Sequence, residues 1–129
     1  MKNTVLAPAV LASAILACVG CGAQANSRAT LEELKAAMGA RSTTPGDREA
    51  NTQLAVRVVE EGALENLRRD EVIDAIGRGN PCSVRPACAE RGYEDDDWIY
   101  DIGDDPTAPS IVVGFDTSGR VSRSTYITH

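Results

Sequence analysis

The aromatic residues of this chain are few and lie at one end, which limits where a core can form. Five are present among 129 residues, and all of them lie from Tyr93 onward. Large rings dominate the buried area of a small domain, so the best-packed core is expected in the C-terminal third. This length supports one modest domain, to which the N-terminal half is an accessory.

The first residues have the pattern of an export signal. Lys2 gives a positive start, residues 5–17 are largely apolar, and small residues follow, as in a secretory signal peptide. The apolar stretch turns to Gly and Cys before it reaches the roughly 20 residues of a membrane-spanning helix. We therefore expect residues 1–17 to be cleaved.

The cysteine at the end of this segment suggests a lipid anchor. Residues 15–18 (Ile-Leu-Ala-Cys) resemble the lipobox of bacterial lipoproteins, in which the cysteine takes a diacylglycerol, so Cys18 is the predicted lipidation site and Cys21 the second choice. The absence of Asp after Cys18 points, by the same resemblance, to the periplasmic face of the outer membrane. Residues 23–25 (Ala-Gln-Ala) also fit the ordinary signal peptidase, which would release a soluble periplasmic or secreted protein.

Two further cysteines, Cys82 and Cys88, are separated by five residues. In an oxidising compartment a disulfide is favoured over a metal pair, because the chain offers no second pair and its one histidine, His129, is the last residue. Closing even so short a loop can contribute roughly 2 kcal/mol.

The segment after the anchor is predicted to be a tether and then an accessory helix. Residues 18–29 comprise the lipidated N-terminus and a polar tether. Thr30 and Glu33 form a capping-box pattern, in which each side chain bonds the other residue's backbone N–H. Apolar residues at three- and four-residue steps follow until Gly39. Residues 30–45 are therefore predicted as an accessory helix and loop.

Two more helices are predicted before the cysteine loop. Thr44, followed by Pro45 and Asp47, has the pattern of a helix start, and this helix is expected to run to about Glu61. Asn66 is the predicted cap of a third helix, which Gly77 ends. The side chains expected to be buried on that helix are Leu67, Val72, Ile73 and Ile76.

Beyond the cysteine loop the hydrophobic period changes to two. Alternation over residues 98–102 and 111–115 predicts two strands, and residues 121–127 a third. Residues 116–119 (Asp-Thr-Ser-Gly) are typical of a hairpin turn. The chain is therefore predicted to be α+β, with helices packed on one face of a three-stranded antiparallel meander. The expected core residues are Val72, Ile76, Trp98, Tyr100, Ile111, Val113, Phe115 and Val121.

Four segments in order resemble one family. Residues 67–77 (LRRDEVIDAIG), 98–100 (WIY), 111–116 (IVVGFD) and 118–121 (SGRV) are similar to the helix and strands of the SmpA/OmlA (BamE-like) outer-membrane lipoproteins. The resemblance implies a BamE-like domain over residues 46–129, on a fold shared in outline with secreted β-lactamase inhibitors. It also implies envelope partners, among them the outer-membrane β-barrel assembly machinery.

The residues offer little for catalysis or for cofactors. A terminal histidine cannot serve a catalytic triad, and Gly77 and Gly79 lack the preceding strand and following helix of a phosphate loop. No metal and no cofactor are predicted. A formal charge of −6 with both signs interspersed argues against a nucleic-acid surface. We therefore expect a protein that is not an enzyme.

An acidic run, residues 94–97, is followed by Asp101, Asp104 and Asp105. Their spacing does not match a calcium-binding EF-hand loop, so a solvated acidic loop is expected, with calcium binding and a docking patch for a basic partner as the alternatives.

Two functions remain. One is an envelope lipoprotein that acts as a non-catalytic scaffold or accessory subunit, and the other is a secreted inhibitor-like or ligand-binding module on the same fold.

Overall fold

The computed structural model describes the backbone of residues 19–129 and the side chains from Asn26 onward. This part of the chain is α+β, with four helices and one antiparallel sheet in the strand order β1-β2-β3-β4. The predicted class is therefore confirmed, and the sheet has one strand more than predicted. The helices are α1 (Val19–Gly39), α2 (Pro45–Glu60), α3 (Arg69–Ile76) and α4 (Pro86–Glu90), and the strands are β1 (Asn80–Pro81), β2 (Trp98–Asp101), β3 (Ser110–Phe115) and β4 (Val121–Ile127).

Helix α1 is longer than predicted. Residues 26–29, the expected tether, are helical, and Thr30 lies inside the helix instead of capping it. The Thr30 hydroxyl lies 2.9 Å from the Asn26 carbonyl oxygen and 2.8 Å from Glu61 Oε2. This contact joins α1 to the end of α2, so tertiary packing overrides the local capping signal. Leu31 and Leu34 are buried in the main core, which makes α1 an integral element of the domain.

Helix α2 begins with the predicted cap. The Thr44 hydroxyl accepts the Asp47 N–H at 3.2 Å, and Asp47 Oδ2 accepts the Thr44 N–H at 3.0 Å. Backbone N–H bonds to the Asp47 carboxylate, from Thr43 first, lower its pKa. The helix ends at Glu60 and buries Leu54, Ala55 and Val58.

The predicted start of the third helix was wrong. Helix α3 begins at Arg69 with Arg68 as its N-cap, and the Arg68 N–H donates to Glu71 Oε1 at 3.1 Å. Asn66 has a positive φ of 64°, and its N–H donates to the Val121 carbonyl at 2.9 Å. Pairing with β4 therefore holds Asn66 in a turn and leaves the cap to Arg68.

The inner face of α3 is narrower than predicted. Val72 and Ile76 are buried, whereas Ile73 is 39% exposed and Leu67 is half-buried. Gly77, with a φ of 85°, ends the helix as expected. Its carbonyl accepts the Tyr100 hydroxyl at 2.8 Å, so a ring from β2 fixes the exit of α3.

The sheet is a meander with a tight last turn. Trp98 pairs with Val113 between β2 and β3, and Val113 pairs with Ser124 between β3 and β4. In the turn, Asp116 Oδ1 accepts the N–H of Ser118 at 2.9 Å, as the sequence predicted. The additional strand β1 is two residues long and pairs with β2.

Both faces of the sheet are covered. On the face toward α1, α2 and α3, Phe115 is half-buried and the other strand residues of the expected core are buried. The opposite face carries Ile99, Val112 and Ile127, and it packs against Cys82 and Cys88. The sequence predicted helices on one face only, because it gave no sign that the cysteine segment folds back onto the other. The strand residues buried toward the helices are Trp98, Tyr100, Ile111, Val113 and Val121.

Candidate functional site

The cysteine segment forms a cover for the second face of the sheet. Cys82, in a single 3₁₀ turn, and Cys88, in α4, are joined by a disulfide, and their Cα atoms are 5.5 Å apart. Both are buried. The Cys82 N–H donates to the Asp97 carbonyl at 2.8 Å, so the covalent loop is also attached to the segment before β2.

An ion pair fastens this cover to the sheet. Arg85 contacts both carboxylate oxygens of Asp101, at 2.8 and 3.0 Å, and the Ser110 hydroxyl donates to Asp101 Oδ1 at 2.6 Å. The hydrogen bond from Arg85 is the main cause of a lowered Asp101 pKa. A bidentate pair has a fixed geometry as well as charge, so the segment is held in one position.

The acidic residues of the C-terminal half serve local structure. Glu94, Asp95 and Asp96 are exposed, as a solvated loop predicts. Asp97 is only 4% exposed, and its carboxylate accepts the N–H groups of Glu94 at 2.8 Å and Phe115 at 3.2 Å. It therefore ties the acidic loop to the end of β3.

The loop after β2 is tied to the N-terminal helices by two carboxylates. Asp104 accepts the Ser42 N–H at 2.9 Å, and Asp105 bonds Arg48 at 2.7 Å. The Thr107 N–H, followed by Arg48, lowers the pKa of Asp105 to about 2. Within the described residues, no three His, Cys, Asp or Glu side chains converge in a way that could hold a metal ion.

A cluster of arginines and rings lies beside α3, and we call it the aromatic–arginine face: Arg69, Arg78, Trp98 and Phe115. The two rings meet edge to face, with centroids 4.9 Å apart. The Arg69 guanidinium carbon lies 3.9 Å from the Phe115 centroid and 5.3 Å from that of Trp98, and the Arg78 carbon lies 5.8 Å from that of Trp98. These are cation–π distances.

The arginines of this face have few anionic partners. Arg69 reaches the Asp96 carbonyl at 3.3 Å and one Asp96 carboxylate oxygen at 3.5 Å. Arg78 is exposed and has no salt bridge to a described carboxylate. The face thus presents two cations above a buried indole.

A groove of about 1020 Å³ lies on the other side of α3. Helix α1 forms one wall, and the turn from Glu61 to Leu67 with α3 forms the rest. Five carboxylates and two cations line it, so it is acidic. The lining carboxylates are Glu32, Glu61, Glu65, Glu71 and Asp74, the cations are Arg28 and Lys35, and the apolar residues are Leu31, Ala63, Leu67 and Ala75.

Helix α3 separates these two surfaces. Val72 and Ile76 are buried in the core, Arg69 contacts the rings of the aromatic–arginine face, and Glu71, Asp74 and Ala75 line the groove. Sequence reasoning missed both surfaces. One signal was available in the sequence. Arg69 lies three and four residues before Val72 and Ile73, so a charged side chain occurs at the helical spacing of the residues predicted to be buried.

The lipidation sites predicted from sequence cannot be placed. Cys18 lies outside the described residues, and Cys21 lies on α1 where only the backbone is described. Among residues 19–129 no helix has the length and apolar content needed to cross a bilayer. Comparisons with protein-family models, with curated proteins and with solved structures give no match for this chain.

Proposed function

We propose that this chain is a lipid-anchored envelope protein that acts as a non-catalytic scaffold or accessory subunit, similar in role to the SmpA/OmlA lipoproteins. The observation that carries the proposal is the aromatic–arginine face. Arginine is enriched among the residues that dominate binding at protein interfaces, and this face presents an exposed Arg78 and a partly exposed Arg69 over the buried Trp98 ring. Its arginines are only partly neutralised within the domain.

Two further observations support an envelope location. The disulfide packs against Ile99, Val112 and Ile127 of the sheet, and such bonds persist in oxidising compartments such as the bacterial periplasm. The N-terminal sequence has the export signal and lipobox pattern that ends at Cys18. Lipid attachment there would keep the domain beside the membrane on which its partners assemble.

The acidic groove favours a second candidate function. A diffusible ligand-binding or inhibitor-like module needs a concave surface, and the groove beside α3 supplies one of about 1020 Å³. Such a module would not require a lipid. The state of the mature N-terminus therefore separates the two candidates.

The test is mass spectrometry of the mature N-terminus together with fractionation of the envelope. We expect the chain to begin at a diacylated Cys18 and to sediment with membranes. Cys18→Ser should release it, and Cys21→Ser is the matched control that should not. An unmodified chain that begins at Asn26 in the soluble fraction would contradict the anchored scaffold and favour the secreted module.

A further inference from the structure

We infer that two copies of this chain associate through the free edges of their β4 strands, which pair antiparallel about Thr125 and join the two sheets into one. The inference goes beyond the proposed function and does not depend on the lipid anchor. It rests on the main-chain groups of β4, on the side chains around them, and on the difference between the two edges of the sheet.

The two edges of the sheet are built differently. Strands β1 and β4 are the outer strands. Strand β1 has two residues, and one of them, Pro81, has no N–H to offer, which is a common way to protect an edge. Strand β4 has seven residues and no proline, and its register shift lies at its start, between Phe115 and Gly114 of the neighbouring strand. Within the described sheet, β4 is therefore the edge that can receive another strand.

Main-chain hydrogen bonds show toward which side each residue of β3 bonds. The Pro109 carbonyl accepts the Ile102 N–H at 2.8 Å, on the side of β2. The Phe115 N–H donates to Asp97 Oδ1 at 3.2 Å on that same side. Because main-chain groups alternate between the two sides of a strand, the odd-numbered residues of β3 bond toward β2. The even-numbered residues of β3 bond toward β4, and they are Ser110, Val112 and Gly114.

The outward groups of β4 follow from this alternation. Thr125 pairs with Val112, so its main chain bonds inward to β3. Its neighbours Ser124 and Tyr126 must therefore direct their N–H and C=O groups away from the sheet. Among the described residues, no main-chain group outside β3 bonds them. The free stretch begins after Val121, whose outward groups bond the turn before α3.

No charge protects this free stretch. Edge strands often carry a lysine or another charge that opposes pairing with a further strand. Arg123 is the one charged residue of β4, and its guanidinium is turned back over its own sheet. There it donates to the Gly92 carbonyl at 2.6 Å and lies 4.3 Å from the centroid of the Tyr93 ring. Residues 124–127 are uncharged, so the edge offers unpaired main-chain groups without electrostatic repulsion.

The midpoint of the regular part of β4 fixes how two copies would pair. Residues 123–127 keep one register with β3, and Thr125 is their midpoint. Antiparallel pairing about this point places Thr125 opposite Thr125, a favourable cross-strand pair. It places Ser124 opposite Tyr126 of the second copy, so outward main-chain groups meet outward main-chain groups. Arg123 falls opposite Ile127, so like charges do not meet. The edge is therefore complementary to itself.

This pairing closes as a dimer. Both copies use the same surface, which gives a contact with two-fold symmetry. The opposite edge ends in Pro81 and gives a third copy no strand to extend. The Tyr126 ring is 37% exposed, one of three large hydrophobic side chains that are exposed among the described residues, and the second copy would cover part of it.

The experiment is cysteine crosslinking of the full-length chain purified from the producing bacterium. Opposed residues that do not hydrogen-bond each other have Cα atoms about 4.5 Å apart in an antiparallel pair, which is within reach of a disulfide. Thr125→Cys should therefore give a disulfide-linked dimer on a non-reducing gel. Thr128→Cys is the control, because its two copies would lie about 20 Å apart and should stay unlinked. The parent chain, treated alike, accounts for disulfides of the other cysteines.

A charge substitution at the same position tests the association in solution. Light scattering of the parent should show a change from monomer to dimer as its concentration rises. Thr125→Lys should raise the dissociation constant by about fivefold or more, because it replaces a favourable cross-strand pair with two opposed like charges. Thr117→Lys makes the same charge change in the exposed hairpin turn and should leave the constant within about twofold. If Thr125→Lys does not fold, the crosslinking still decides.

Three results would overturn the inference. The first is a parent that stays monomeric at every concentration, with no dimer from Thr125→Cys. The second is a dimer that forms as readily from Thr128→Cys as from Thr125→Cys. The third is a disulfide from Thr125→Cys to a different protein only, which would mean that the edge receives a strand of another chain. Failure of the lipid anchor would differ from all three, since it shows as a released chain whatever its oligomeric state.

Discussion

The guanidinium carbon of Arg69 lies 3.9 Å from the centroid of the Phe115 ring, which joins the first turn of α3 to the end of β3. Arg69→Ala should lower the free energy of unfolding by about 1 kcal/mol, because a half-exposed cation–π contact contributes roughly that much. Urea denaturation of purified protein measures it. Arg91→Ala is the control and should change stability by less than about 0.5 kcal/mol. If the two variants lose the same stability, the contact of Arg69 with the Phe115 ring does not stabilise the domain.

Trp98→Ala should unfold the domain or nearly so. The indole is buried on the helix face of the sheet, and truncation of a buried ring costs about 3–5 kcal/mol against the 5–15 that a domain typically holds. Circular dichroism melting is the measurement. The double variant Asp95→Asn, Asp96→Asn should melt within a few degrees of the parent. If Trp98→Ala melts like the parent, the indole is not part of the core.

Gly79→Ala should destabilise by about 1–3 kcal/mol, the usual cost of overpacking. A Cβ at Gly79 would lie 2.7 Å from the Trp98 Cβ and 2.9 Å from the Tyr100 ring, so the backbone after α3 must move. Gly39→Ala is a matched control, because nothing lies within 4 Å of its Cβ position. The denaturant midpoint of Gly39→Ala should therefore be higher than that of Gly79→Ala. The reverse order would contradict the close packing around Gly79.

Replacing both Cys82 and Cys88 by Ser should lower stability by about 2 kcal/mol, the estimate for a short disulfide loop. Thiol labelling of the oxidised protein without reductant should modify neither residue. The control is Ser83→Ala, an exposed position in the same turn, which should leave the melting temperature unchanged. Full labelling of either cysteine in freshly isolated envelopes would argue against the bond.

The Asp105 carboxylate should make the free energy of unfolding depend on pH in the acid range. Its pKa is lowered to about 2 by the Thr107 N–H first and then by Arg48, whereas an unfolded Asp titrates near 3.9. A depressed folded pKa means that its contribution is present above about pH 4 and is lost as the pH falls toward 2. The urea midpoint of Asp105→Asn should therefore fall less steeply over that interval. Asp95→Asn serves as the control, and a parental slope in Asp105→Asn would contradict the assignment.

Local patterns predicted the order of the elements well. The Thr44 cap, the Gly77 stop and the Asp116 turn each depend on residues within a few positions of one another, and each is present. The failures lie where distant segments meet. The Thr30 hydroxyl bonds Glu61, 31 residues away, and the Asn66 N–H bonds the Val121 carbonyl in β4.

Sequence reasoning missed the contacts that build the aromatic–arginine face, although Arg69 interrupts the predicted buried stripe of α3. Arg69 and Phe115 meet only after the meander folds onto α3, so no spacing in the chain signals their contact. Strand β1 gave no signal either, since it has two residues and one of them is Pro81. Charge composition alone did not separate the acidic groove from the acidic loop near Asp97.

The disulfide of the cysteine segment also affects how easily one face of the sheet becomes exposed to water. Ile99, Val112 and Ile127 are shielded from water by the segment that the disulfide closes. When the two cysteines are reduced, that segment is held only by contacts such as the Arg85–Asp101 pair, the backbone hydrogen bond from Cys82 to Asp97 and its packing on the sheet, so local opening becomes easier. A chain with Cys82 and Cys88 reduced should therefore be cleaved by proteases more readily than the oxidised chain.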